Sequence, residues 1–308
     1  MRIYNAEDIE KIISMEDVIR IIENFYLQDS EVDIVIPERM IIGDGDNTSL
    51  LMPAYYDNYY GVKLVGVAPG NAAIGEATLH GTYVLSDRKT LKPLAVMDAR
   101  TITALRTGAI GGLGMKYMAK DDAKIVGVIG TGDQGWSHLQ AACAVRPIET
   151  ALIYNRSEDR LQQYIEKAKV HFPQIEFKKA DPKEILEQAD IVITTTTSHE
   201  PVIPEITQID LSGKHFAASG AFKPFMQEIP NYILGQADHL YVDTHMAFEE
   251  SGELIQAKEL GFTEDRVLDM EQMIKNGEQD KIKEGKTVFK SVGMGIFDVI
   301  AAKLIYEI

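Results

Sequence analysis

Cysteine is nearly absent: Cys143 stands alone in 308 residues. An intrachain disulfide is therefore excluded, and a reducing compartment, the cytoplasm, is expected. No Cys/His cluster has zinc-ligand spacing, so no metal is expected. Basic residues are also few. The 31 Lys and Arg against 47 Asp and Glu leave a formal charge of -16, which argues against nucleic acid or an anionic membrane as partner, because both reward a basic face. No apolar run approaches the ~18 residues of a membrane span. The first residues, Met1 to Asp8, run into charge where a secretion signal has an apolar core. Repeats and low-complexity linkers are missing too. What remains is 45% apolar and 25% charged residues, the composition of a globular protein with one large or two ordinary domains.

Hydrophobic period divides the chain. Ser14 and Asp17 are placed as a helix cap, with Val18, Ile21, Ile22 and Phe25 following on one face. From about Val35 to Met97, short β-rich runs alternate with turn residues. Thr82–Leu85 and Leu94–Met97 form the arms of a hairpin candidate. Asp98 stands as a cap before a helix that carries Gly108, Gly111, Gly112 and Gly114, a density that implies close backbone packing or a ligand surface. From Lys124, apolar runs at Ile125–Ile129, Thr150–Tyr154, Asp190–Thr194, His215–Ser219 and His239–Val242 alternate with helical segments. Strands this apolar have no wet face and predict a parallel sheet covered on both sides. The segment from Ser291 to Ile308 reads as one last helix that returns to the first domain. The expected fold is α/β: a doubly wound parallel sheet over 120–288, plus an α+β domain made of 1–119 with 289–308.

Gly130-Thr131-Gly132-Asp133-Gln134-Gly135 matches G-x-G-x-x-G directly after the strand at Ile125–Ile129 and opens a helix. That context is what a dinucleotide pyrophosphate needs: a tight turn, a close backbone approach, and a helix N-terminus facing the anion. About 20 residues on, where an NAD-specific fold usually places an acid, the sequence has Asn155-Arg156-Ser157. A guanidinium there suits a 2'-phosphate, so NADP is favoured, with NAD as the alternative if Arg156 is only a solvated loop arginine.

In a chain this acidic, the isolated cations Arg39, Lys63 and Arg106 stand out. Lys63 lies between Val62 and Leu64 in a strand pattern, so it must face outward, pair, or meet an anionic ligand. His80, Trp136 and His138 are ordinary packing or surface residues on this reading, and Cys143 is core. The charges Glu264, Asp265, Arg266, Lys281, Lys283 and Lys286 form a solvated surface.

The segments around Arg39 and Lys63, Asp98–Gly108, the glycine loop, Glu200-Pro201, Gly220–Glu228, Ser251–Leu254 and Phe289–Gly293 together resemble the ornithine cyclodeaminase and mu-crystallin family over almost the whole chain. The resemblance implies a homodimer built through the first domain, with the active site between that domain and the dinucleotide domain. It gives Arg39 and Lys63 the substrate carboxylate and makes them the catalytic pair. It makes Thr78, Arg106 and Thr107 cofactor contacts, with Gly132, Asp133 and Gln134 in the phosphate loop and Asn155 and Arg156 at the ribose. Thr196 falls at the strand end near the nicotinamide, and Ser291 and Val292 close the site, Val292 towards substrate. One position departs. Ornithine cyclodeaminases carry an aspartate in a Gly-Gly-Asp-x-Pro-like segment, whereas this chain has Phe222, which can neither accept a proton nor pair with an ammonium.

The resemblance therefore implies an NAD(P)H-dependent reductase of a cyclic α-imino acid, 1-pyrroline-2-carboxylate or 1-piperideine-2-carboxylate, giving proline or pipecolate. The alternatives are an ornithine cyclodeaminase or alanine-type dehydrogenase, and a non-catalytic mu-crystallin-like binding protein.

Overall fold

A computed structural model describes residues 1–28, 33–263, 267–275 and 279–308. The expectation for Glu264, Asp265 and Arg266 lies outside them. The chain divides into two units, Met1–Arg106 with Met294–Ile308, and Thr107–Gly293.

The first unit opens with β1 (Arg2–Tyr4), α1 (Ala6–Ile12) and α2 (Met15–Leu27), followed by β2 (Ile34–Val35), β3 (Met40–Asp44), β4 (Asn47–Tyr56), β5 (Tyr59–Val67), β6 (Leu79–Asp87) and β7 (Pro93–Asp98). Ser14 and Asp17 form the expected capping box on α2. The buried face, Met15, Val18, Ile19, Ile22 and Tyr26, is rotated slightly from the expected one and leaves Ile21 and Phe25 half-buried. The strands make one sheet in the order β1-β7-β6-β5-β4-β2, with β3 also on β4. Only β1 runs parallel to its neighbour among the pairings described. The expected hairpin is β6–β7, with Leu85 opposite Ala95. Asp98 accepts the Thr101 amide at 2.7 Å and so caps α3 (Ala99–Met118), within which the two units divide.

The second unit continues with β8 (Ile125–Ile129), α4 (Asp133–Val145), β9 (Thr150–Tyr154), α5 (Glu158–His171), β10 (Glu176–Lys179), α6 (Pro182–Gln188), β11 (Ile191–Thr194) and β12 (His215–Ala218). After these come α7 (Asn231–Gln236), β13 (His239–Val242), α8 (Ala247–Glu250), α9 (Gly252–Glu259), β14 (Leu268–Asp269), α10 (Met270–Lys275), α11 (Gln279–Glu284) and β15 (Thr287–Lys290). Its sheet is parallel, ordered β10-β9-β8-β11-β12-β15-β13-β14. Along β8 and β11 the side chains alternate between two cores: Val126, Val128, Ile191 and Ile193 enter one, Ile129 and Val192 the other. That is the double-sided burial expected of a doubly wound sheet. The strand order reverses beside β8, and in such sheets ligands bind beyond the strand ends at the reversal.

The expected boundaries at 119/120 and 288/289 give way to 106/107 and 293/294. The first moves because most of α3 packs within the second unit: a Cβ on Gly111 would lie 2.5 Å from the His138 ring. The second moves because β15 is paired on both sides, with β12 and β13. The last helix, α12 (Gly295–Glu307), starts four residues later than expected and belongs to the first unit. It is buried nearly all round and packs on α2, β4 and β5, as an apolar central helix does. Among the described residues no helix is long and apolar enough to cross a membrane.

Candidate active site

In the second unit, β8 ends at Ile129 and the glycine loop turns at once. Gly130 has a φ of 110°, where a side chain would be strained, and its backbone oxygen accepts the Thr195 hydroxyl from the end of β11 at 3.2 Å. A Cβ on Gly132 would meet nothing within 4 Å, so the loop presents an open cradle. Gly132 caps α4 without a side-chain acceptor, leaving first-turn amides for an anion. Two buried polar atoms in this loop, Thr131 Oγ1 and Gln134 Oε1, have no partner. Open space at Gly132, a helix N-terminus without a side-chain cap and orphaned polar atoms together fit a dinucleotide pyrophosphate. Asn155 and Arg156 follow β9; the Asn155 amide donates to the Ser157 carbonyl at 3.1 Å, and Arg156 is exposed.

His138 lies one turn into α4 and is fully buried. Its Nδ1 is 2.7 Å from the Gln134 carbonyl and its Nε2 2.9 Å from Ser219 Oγ, so it ties the glycine loop to the end of β12. Burial pushes the imidazole down to about 4, and the ring is neutral at pH 7. Buried carboxylates organise the neighbouring strand ends. Glu228 accepts the amides of Thr196, Gly220 and Ala221, and burial pushes its carboxyl up. Its own amide donates to Glu253 at 2.7 Å; Glu253 also accepts the Ser251 hydroxyl and stands 3.3 Å from the Lys290 ammonium. Asp243 accepts Ser291 Oγ at 2.7 Å, Gly293 N at 2.7 Å and Val292 N at 3.1 Å. Val292 itself packs against the apolar core of this unit. The segments around Gly220–Glu228, Ser251–Leu254 and Phe289–Gly293, far apart in sequence, thus meet through a few buried acids.

The first unit holds the cations. Lys63 on β5 is 2% exposed and Arg106 on α3 is 5% exposed, and both meet Asp298 in the first turn of α12. Lys63 Nζ is 2.8 Å from Asp298 Oδ2, Arg106 Nε donates to Asp298 Oδ1 at 2.9 Å, and Lys63 also donates to Thr103 Oγ1 at 3.3 Å. Burial pushes the Lys63 ammonium down to about 8; Asp298 opposes the shift, while Arg106 and Arg39 add to it. Burial also works against the ionised Asp298, but Lys63 and Arg106 outweigh it and hold this carboxyl below the usual range. Two buried cations, Lys63 and Arg106, share one acid, so these three side chains carry one surplus positive charge. A surplus of this kind inside a protein calls for an anion.

Of the residues expected at the site, Lys63, Arg106 and Arg39 share this charged cluster. Arg106, expected to contact cofactor, has its Nε committed to Asp298. Thr78 and His80 are exposed, and Thr107 is buried at the start of the second unit. Phe222 is 46% exposed, with the Lys223 ammonium 5.8 Å from its ring centre. Asp298, Glu228, Glu253, Asp243 and Lys290 were not singled out from sequence. Asp298 had a signal, an acid inside the apolar run Gly295–Ala302, which is the same oddity that marks Lys63.

The sequence profile described as the Ornithine cyclodeaminase/mu-crystallin family matches residues 1–308. A Delta(1)-pyrroline-2-carboxylate reductase from Bacillus cereus is 33% identical over 315 residues, covering 100% of this chain and 96% of that one. Among solved structures, the Thermococcus litoralis Delta(1)-pyrroline-2-carboxylate reductase in complex with NADH and L-proline superposes with a TM-score of 0.87 at 33% identity, covering 100% of this chain and 97% of the other. An archaeal alanine dehydrogenase dimer with bound NAD gives a TM-score of 0.85 at 28% identity, over 100% and 95%.

Proposed function

Because this chain belongs to the ornithine cyclodeaminase/mu-crystallin family, we propose that it is an NAD(P)H-dependent reductase of a cyclic α-imino acid, converting 1-pyrroline-2-carboxylate or 1-piperideine-2-carboxylate to proline or pipecolate. The observation that carries this reading is the surplus positive charge around Lys63, Arg106 and Asp298, which suits one carboxylate. The ring is supported by the whole-length likeness to pyrroline-2-carboxylate reductases.

When bound at the glycine loop, a reduced nicotinamide supplies the hydride. Gly130, Gly132, Gln134 and Gly135 cradle the pyrophosphate, with Asp133 at the opening of α4, Asn155 and Arg156 at the ribose, and Thr196 and Ser291 on the loops that Glu228 and Asp243 brace. Thr78, Arg106 and Thr107 are the remaining cofactor contacts of this reading. Arg39 and Lys63 hold the substrate carboxylate through charge-assisted bonds and so orient the C=N carbon, with Val292 against the ring. An iminium needs only this orientation. For a neutral imine, the Lys63 ammonium, lowered to about 8, is acidic enough to give the ring nitrogen its proton. Phe222 offers an ω-ammonium no carboxylate for a salt bridge, which sets this chain apart from the cyclodeaminase pattern.

The reading also includes a cytoplasmic homodimer. Apolar side chains exposed on β2 and β3 of the first unit, among them Val35, Met40, Ile41 and Ile42, support a covered face. Light scattering on Ile41→Asp tests it, with a fall to monomer mass expected.

The deciding assay follows NADH and NADPH oxidation with both cyclic imines. Imine-dependent oxidation is expected, with at least a hundredfold loss in Lys63→Ala or Arg39→Ala while dinucleotide binding persists. Arg156→Ala is expected to weaken NADPH more than NADH. Turnover of pyruvate with ammonia, and of neither imine, would favour an alanine dehydrogenase, the activity of the archaeal neighbour. Ammonia release from L-ornithine would favour a cyclodeaminase, and binding without turnover a mu-crystallin-like carrier.

A further inference from the structure

We propose that Asp298 is a positioning residue for this chemistry: its carboxylate, presented by the first turn of α12, fixes the side chains of Lys63 and Arg106 together and keeps Lys63 in its cationic, anion-binding form. The inference rests on the reading of Lys63 as the carboxylate ligand. Its geometry does not. Asp298 is fully buried, and its two oxygens are divided between the two cations, Oδ1 to Arg106 Nε at 2.9 Å and Oδ2 to Lys63 Nζ at 2.8 Å. The three residues come from α12, α3 and β5, so a single acid sets the spacing of two cations that share no element. The first turn of a helix favours a negative charge, which supports an ionised Asp298 where burial alone would neutralise it. Thr103 holds Lys63 from a further direction at 3.3 Å.

Among the described residues, the charged and titratable groups facing the cluster are Lys63 and Tyr60 on β5, Tyr83 on β6, Arg106 on α3, Arg39 before β3, and Asp298 itself. Burial, with Asp298 nearby, pushes the Tyr83 phenol up, so it stays neutral wherever Lys63 titrates. Asp298 is the one negative charge among these groups. Among the described residues, its removal leaves Lys63 with burial and the like charges of Arg106 and Arg39, which favour loss of its proton, against the single hydrogen bond to Thr103.

The test has two arms. In the first, without substrate, the 13Cε resonance of Lys63 is titrated by NMR and assigned by its loss in Lys63→Met. Asp298→Asn is expected to move the midpoint down by at least one pH unit, and Asp298→Glu to restore it. In the second, the alkaline limb of kcat/KM for imine reduction moves to lower pH by the same amount, so activity on that limb falls about tenfold per unit. A midpoint and limb that stay in place, with activity lowered equally at every pH, would overturn the proposal and leave Asp298 a packing residue. Should Asp298→Asn fail to fold, the reciprocal measurement decides: in Lys63→Met the Asp298 carboxyl midpoint must rise by at least one unit, and an unmoved midpoint overturns the coupling. A wild-type chain that reduces neither imine rejects the substrate reading alone, because the NMR arm still judges Asp298.

Discussion

The two units bury charge in opposite ways. In the first, Lys63 and Arg106 are paired with Asp298, charge against charge, with one positive charge left over. In the second, carboxylates are held mainly by backbone amides: Glu228 by three, Asp243 by two and the Ser291 hydroxyl, and Asp190 by Lys124 N and Ile125 N at 2.8 and 2.9 Å. Two buried histidines of the second unit are kept neutral, with His138 pushed down to about 4 and His215 to about 3. An ion cluster with one charge to spare can respond to an arriving anion. A carboxylate saturated by amides cannot, and what it does instead is hold a loop still.

The largest difference should appear on deleting these charges. Glu228→Ala strands the buried Ala221 amide and the half-buried amides of Thr196 and Gly220, and is expected to cost roughly 3 kcal/mol or more in urea unfolding. The combined change Lys63→Met, Arg106→Met and Asp298→Leu replaces ions by apolar groups of similar size. It should leave stability unchanged or higher while abolishing turnover. A large loss of stability in that triple variant would break the comparison.

The pH dependence comes next. The folded His138 binds its proton only near pH 4 whereas the unfolded chain does so near 6.5, so acid favours unfolding and stability falls by roughly 3 kcal/mol across that window. Lys63 works at the other end. Its folded value of about 8 lies below the ordinary 10.5, the unfolded chain holds more protons between them, and stability rises by roughly 3 kcal/mol from about pH 8 to 10.5. His138→Gln should make the acid limb shallower, with His215, pushed down to about 3, supplying what remains, while Lys63→Met should flatten the rise between about pH 8 and 10.5, read as unfolding free energy over a pH series.

The smallest effect sharpens the amide-and-hydroxyl side of the comparison. Ser219→Ala removes the partner of His138 Nε2 and is expected to cost about 1 kcal/mol in thermal melts, with no change in the alkaline limb.

The parallel sheet could be read from the sequence because strands such as Ile125–Ile129, buried on both faces, are continuously apolar, and because Gly130 must turn where it does. Lys63 stood out because a lysine between Val62 and Leu64 has few fates, and the structure gives it the paired one. Asp298, its partner, lies 235 positions away, and only the packing of α12 against β5 brings the two together; local pattern holds no record of that register. Glu228 and Asp243 were invisible for another reason. In a chain with 47 acids a loop carboxylate looks solvated, and only tertiary structure reveals the amides converging on it. The same dependence moved the start of the last helix from Ser291 to Gly295, since Asp243 claims Ser291, Val292 and Gly293 for a loop.

The return of α12 to the first unit has a consequence for biosynthesis. The second unit is contiguous and can fold while the ribosome is still at work, but the first lacks its central helix until the whole of the second has been made, on the order of tens of seconds at ~5–20 residues per second. Throughout that interval Lys63 and Arg106 have been translated without their acid. The charged cluster is thus completed only when Asp298 clears the exit tunnel, and a nascent chain released before α12 carries a finished dinucleotide fold beside an unfinished one.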